Sequence, residues 1–137
     1  MVGAIVVDTS ALMGLLLLEP DAEQVATILA SASKLRMAAP TWLEAAIVVT
    51  ARRGDAGFDQ FQQFLQRLDV EVVPCDAPGA EIAFQACIRY GKGRHPAGLN
   101  YGDCFAYALA KQRGEPLLFK GEDFSKTDIQ SALDSEP

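Results

Sequence analysis

Along the chain the hydrophobic positions change period several times, and each change predicts an element. Ala4, Ile5, Val6 and Val7 run unbroken into Asp8, with Thr9 and Ser10 immediately after. A continuous β-branched run suits a strand covered on both faces, as in a parallel sheet. The apolar stretch 11–18 predicts a short buried helix, ended by Glu19-Pro20. Val25, Ile28 and Leu29 fall at helical spacing and predict a second helix over 21–33. A short strand is expected over 35–39, and Pro40 then stands where a first helical turn begins. That helix spans 40–53 and is closed by Gly54. Phe58, Phe61, Phe64, Leu65 and Leu68 give another over 57–68, an aromatic stripe that reads as core or dimer surface. Residues 70–73 form a strand, and Pro78 opens a helix reaching about Tyr90. The glycine-rich stretch 91–99 has loop composition and holds the single histidine, His95, which reads as an exposed bystander. A helix capped by Asn100 follows, then a last strand over 116–120.

This alternation predicts an α/β domain with a mainly parallel sheet. At 137 residues, half of them hydrophobic and 22% charged, the chain reads as one globular domain over 1–133, with 134–137 a frayed tail. The run ending at Leu18 is too short to span a membrane, and no basic segment precedes a cleavage site, so a cytoplasmic protein is expected. Cys75, Cys87 and Cys104 are odd in number and lack CxxC spacing; free, buried thiols are expected.

In such sheets ligands bind in the crevice at the carboxyl ends of the strands. Asp8 falls there, and Asp123 ends the last strand region in the same way. Glu44 lies in the first turns of its helix among apolar neighbours. Asp103 lies three residues after Asn100, where it either completes a capping box or holds a cation. Four carboxylates gathered at one edge cannot all stay ionised without cations. An all-oxygen set without His or Cys selects hard ions, Mg2+ or Mn2+. Phosphoryl transfer is the chemistry such a cluster serves best. No Ser, Cys or second His is spaced for a nucleophilic triad.

Four segments carry a resemblance: Val6 to Leu12, Ala39 to Glu44, Leu99 to Ala108 and Leu117 to Phe124, the last followed by Thr127-Asp128. In order and spacing they resemble the PIN-domain nucleases, and more closely the VapC ribonuclease toxins of type II toxin–antitoxin systems. The resemblance covers nearly the whole chain. It implies a three-layer α/β/α sandwich with a central, mainly parallel sheet, and Mg2+- or Mn2+-dependent cleavage of RNA. It implies Asp8 and Asp103 as principal metal ligands, Glu44 completing the set directly or through water, and Asp123 in the fourth acidic position. Ser10 would hydrogen-bond a carboxylate or the substrate phosphate, with Thr9 the weaker candidate. The resemblance also implies inhibition by a cognate VapB-type antitoxin and a homodimer through the early apolar helices. An acid-rich pocket is itself a natural receptor for an inhibitor's arginine, which pairs bidentately with carboxylates.

Net charge complicates the RNA expectation. The chain carries −6, which repels a polyanion, yet residues 89–126 hold seven basic and four acidic side chains. Lys92, Arg94 and Lys120 are the candidates for RNA phosphates. The competing reading is a non-catalytic PIN-like module whose acids bind a metal or a basic partner. A haloacid-dehalogenase-type phosphatase wants an Asp two residues after the first, and position 10 is Ser.

Overall fold

The computed structural model describes residues 2–133; the tail expected over 134–137 lies outside them. The elements are β1 (Val2–Val7), α1 (Thr9–Leu16), α2 (Ala22–Ser31), β2 (Ala32–Ala38), α3 (Ala39–Arg67), β3 (Glu71–Val73), α4 (Ala77–Tyr90), α5 (Tyr101–Arg113) and β4 (Leu117–Leu118). A 3₁₀ turn, Phe124–Lys126, follows. The sheet order is β3-β2-β1-β4, with every pairing parallel. β1 is therefore a central strand, and its apolar run is explained by burial from both sides.

The pleat sends alternate residues to opposite faces, and two apolar clusters sort that way. Ile5 and Val7 of β1, Leu35 and Met37 of β2 and Leu118 of β4 pack with α1, α2 and α3. Val6, Ala38 and Leu117 pack on the other face with α4 and α5. This is the expected three-layer arrangement. Ile5 and Val6 are fully buried, each contributing about 1.5–3 kcal/mol relative to an exposed side chain. The aromatic stripe belongs to the first cluster: Phe61 is fully buried, and Trp42 meets Phe58 edge-on at 6.3 Å.

Boundaries differ from the sequence expectation for local reasons. α1 begins at Thr9 because Asp8 caps it, and it ends before Leu18, whose φ is +53°. β2 starts at Ala32 because Val2 pairs there, drawing in Ser33 and Lys34, which have little strand propensity. Within α3 the two helices expected over 40–53 and 57–68 remain distinct, parted at Gly54, whose φ of +67° is not helical. β4 shrinks to two residues, since Lys120 N–H donates to Ser10 Oγ (3.0 Å) and no strand partner lies there. The buried-thiol expectation holds only for Cys104. Cys75, between β3 and α4, and Cys87, on α4, are exposed.

Candidate active site

The carboxyl end of β1 delivers Asp8 into the crevice, 3% exposed. Its Oδ2 accepts from Ser10 N–H (3.0 Å) and from Ser10 Oγ (2.7 Å), the usual work of a helix N-cap. Its Oδ1 is buried with no hydrogen-bond partner. Capping explains one oxygen and leaves the other unexplained, because a buried carboxylate oxygen is costly without a donor or cation. Burial raises the Asp8 pKa; the Ser10 hydrogen bonds oppose that rise and Glu44 adds to it.

Glu44 enters from the second turn of α3. Its Oε1 accepts from Thr9 Oγ1 (3.0 Å), and that hydroxyl also lies 3.3 Å from the Thr41 carbonyl. The carboxylate abuts the start of α5 so closely that a Cβ at Gly102 would fall 2.5 Å from Glu44 Oε2. Position 102 therefore accepts only glycine without displacing the acid.

Asp103 sits on the first turn of α5 in a complete capping box. Asn100 Oδ1 accepts from Asp103 N–H (2.9 Å), and Asp103 Oδ2 accepts from Asn100 N–H (3.0 Å). Capping does not settle its chemistry. Burial pushes the Asp103 pKa up to about 7 against the Asn100 hydrogen bond, with added repulsion from Asp8, Glu44 and Asp123. A helix cap alone gains from being ionised. Here burial, and after it the repulsion of three other acids, favours the neutral carboxyl, so the cap alone does not account for the group's surroundings.

Asp123 is exposed, at the head of the 3₁₀ turn, and its side chain caps nothing. Its segment is anchored by Phe124, buried against Phe119 (5.2 Å between centroids), and by Asp128, which accepts from Tyr107 Oη and Lys111 Nζ. Burial raises the Asp128 pKa, but those two donors outweigh it and hold the group below its usual value.

Among the described residues no three His, Cys, Asp or Glu side chains form a closed coordination group. The donors nevertheless fit a hard divalent cation. They are all carboxylate oxygens, Asp8, Glu44 and Asp123 add to the raised pKa of Asp103, and Asp8 Oδ1 is unsatisfied. Glu44 is also the acidic corner of a cleft of about 860 Å³, lined otherwise mostly by apolar groups such as Pro40, Leu43, Ile47, Tyr101 and Phe105.

Residues 5–130 match the PIN domain family. The chain belongs to that family. Within it, the chain is 51% identical to a Ribonuclease VapC of Mycolicibacterium smegmatis over 124 residues, 90% of this chain and 96% of that protein. It is 49% identical to Ribonuclease VapC30 of Mycobacterium tuberculosis, covering 90% of this chain and 95% of the relative. The PIN fold is seen again in the crystal structure of M. tuberculosis VapC20, titled a Sarcin-Ricin loop cleaving toxin. The TM-score is 0.75 at 18% identity, over 91% and 95% of the two chains. A DNA-bound VapBC structure from Salmonella typhimurium superposes with TM-score 0.72 at 16% identity, over 96% of each chain.

Against this PIN framework the sequence candidates separate. Asp8, Glu44 and Asp103 are brought together, and Ser10 holds Asp8. Thr9, ranked below Ser10 from sequence, is the side chain that tethers Glu44. Lys120 turns its ammonium to Glu19 Oε1 (3.4 Å), on the α1 side. Lys92 and Arg94 are exposed on the loop before α5. Sequence reasoning missed Gly102 and Thr41. The first was signalled by the glycine in Tyr101-Gly102-Asp103; Thr41, whose carbonyl meets Thr9, left no readable signal.

Proposed function

We propose that this chain is a Mg2+- or Mn2+-dependent endoribonuclease, the toxin of a type II toxin–antitoxin pair. The observation that carries the reading is the unsatisfied, buried Asp8 oxygen in a crevice where burial, with added repulsion from neighbouring acids, raises the Asp103 pKa. The ribonuclease names of relatives at 49–51% identity support the same substrate class. Asp8 and Asp103 would be the principal ligands, Glu44 would complete the set, and Asp123 would stand at its open edge. The bound ion would neutralise the cluster and supply Lewis acidity at the scissile phosphodiester. The chain's own part is positional. Ser10 fixes Asp8 and, through its Oγ, the start of the 120–123 segment; Thr9 fixes Glu44; the α5 cap fixes Asp103.

An antitoxin partner belongs to this reading. Structural neighbours are titled as toxin–antitoxin complexes, one of them from Klebsiella pneumoniae, and an inhibitor arginine would satisfy the acids as a cation does. A homodimer through the early apolar helices belongs to it as well. Leu15, Leu16 and Leu17 are partly buried against the core. Large exposed apolar side chains are Leu18 just beyond α1, Leu43 and Ile47 on α3, Val72 on β3, Phe84 and Ile88 on α4 and Tyr101 on α5.

Cleavage of labelled RNA with and without Mg2+ or Mn2+, by wild type and Asp103→Asn, tests the proposal. Metal-dependent cutting lost in a folded mutant supports it. Equal cutting by both places the activity elsewhere, and no cutting by wild type with retained metal binding favours the non-catalytic module.

A further inference from the structure

Of the seven basic residues in the cation-rich third of the chain, three are already neutralised. Arg89 and Lys111 face Asp128, and Lys120 faces Glu19. No ion pair engages Lys92, Arg94, Arg113 or Lys126 among the described residues. Arg113 ends α5 ten residues beyond Asp103, about 15 Å along the helix axis. Lys92 and Arg94 lie at the opposite, acidic end.

Their loop is firmly built. Lys92 N–H donates to the Leu99 carbonyl (2.9 Å) and Leu99 N–H to the Tyr90 carbonyl (2.9 Å), closing 91–99 on itself. Arg94 and His95 N–H groups both donate to the Gly91 carbonyl (3.0 and 3.1 Å). His95 is no bystander. Its Nδ1 accepts from Ala97 N–H (3.0 Å), and its ring meets Tyr90 edge-on at 5.1 Å. Ala97 and Leu99 are 1% exposed, so the loop is pinned into the core beneath two exposed cations. Gly91 allows this closure, since a Cβ there would fall 2.2 Å from the Cys87 carbonyl oxygen.

The loop is also tied to the acids. Lys92 bonds the backbone of Leu99, the next residue is Asn100, and the Asn100 N–H is bonded to Asp103. Resting on the nuclease reading above, we infer that Lys92 and Arg94 form a preorganised phosphate-binding clamp. It holds the RNA strand one or a few nucleotides from the bond cut at the carboxylates. An acidic protein needs such a local counter-charge to hold a polyanion, and a rigid loop supplies it without an ordering cost at binding. Lys120, committed to Glu19, is not part of the clamp.

The test is binding of labelled polyuridylate across a salt series, paired with cleavage of ribosomal RNA, for wild type, Lys92→Ala/Arg94→Ala, the charge reversal Lys92→Glu/Arg94→Glu, and Arg113→Gln. Each single-strand phosphate contact contributes about 0.7 to the slope of log affinity against log salt, so losing both lowers it by about 1.4. KM should rise roughly tenfold with kcat within about twofold, more so for the reversal, while Arg113→Gln stays at wild type. Both side chains are exposed, and unchanged thermal melting certifies the fold. If wild type cuts RNA and the double alanine variant matches it in KM and salt slope, the clamp is overturned while the nuclease reading stands. If wild type neither binds nor cuts RNA, both fall.

Discussion

Asp8 and Asp123 follow the same local pattern, an apolar strand delivering an acid, yet the fold treats them oppositely. β1 is paired on both sides, so its end is roofed by α1 and by the starts of α3 and α5, and Asp8 is 3% exposed. β4 is a two-residue edge strand whose outer side meets only the return segment near Ser131. Its acid emerges on an exposed 3₁₀ turn, with both oxygens free of capping work. Burial leaves one carboxylate in want of a proton, a donor or a cation. Exposure leaves the other solvated, able to join a cluster but not obliged to.

Substitutions separate the two. Asp8→Asn, read by RNA cleavage at saturating Mg2+, should lose about 10²–10³-fold with an unchanged circular dichroism spectrum. Thr9→Val removes the hydroxyl that tethers Glu44 and should cost about 10–100-fold. Asp123→Asn should cost about tenfold or less. A loss matching that of Asp8→Asn would show that exposure does not set the ranking.

The smallest effect is on stability. In the metal-free protein Asp103 titrates at about 7 against 3.8 for the unperturbed group. Between those values the unfolded chain has released its proton and the native state has not, so this group's contribution falls as pH rises from about 4 to 7. Asp103→Asn should flatten that decline and raise the metal-free Tm at pH 8 by about 2–5 °C. Wild type should recover the difference on adding Mg2+. A Tm lowered equally at every pH would make Asp103 a helix cap and nothing more.

Much of the site was legible because its signals are local. The Asp8 segment ends an unmistakable strand, Asn100 and Asp103 sit at capping-box spacing, and Glu44 carries apolar company on a proline-started helix. The pairing of Lys120 with Glu19 was not legible, because the partner lies 101 residues away in sequence. His95 was misread because a loop composition hides the Tyr90 ring beneath it.

Sequence by itself determined the period of each element, the α/β order and the four acids, because patterning, capping and turn chemistry act over a few residues. Only the tertiary structure decided that β1 is central and β4 an edge, and that Thr9 reaches Glu44 while Gly102 makes room for it. It also decided which cations stay unpaired. Burial and charge neutralisation depend on what packs across the crevice, and those partners lie tens of residues apart in the chain.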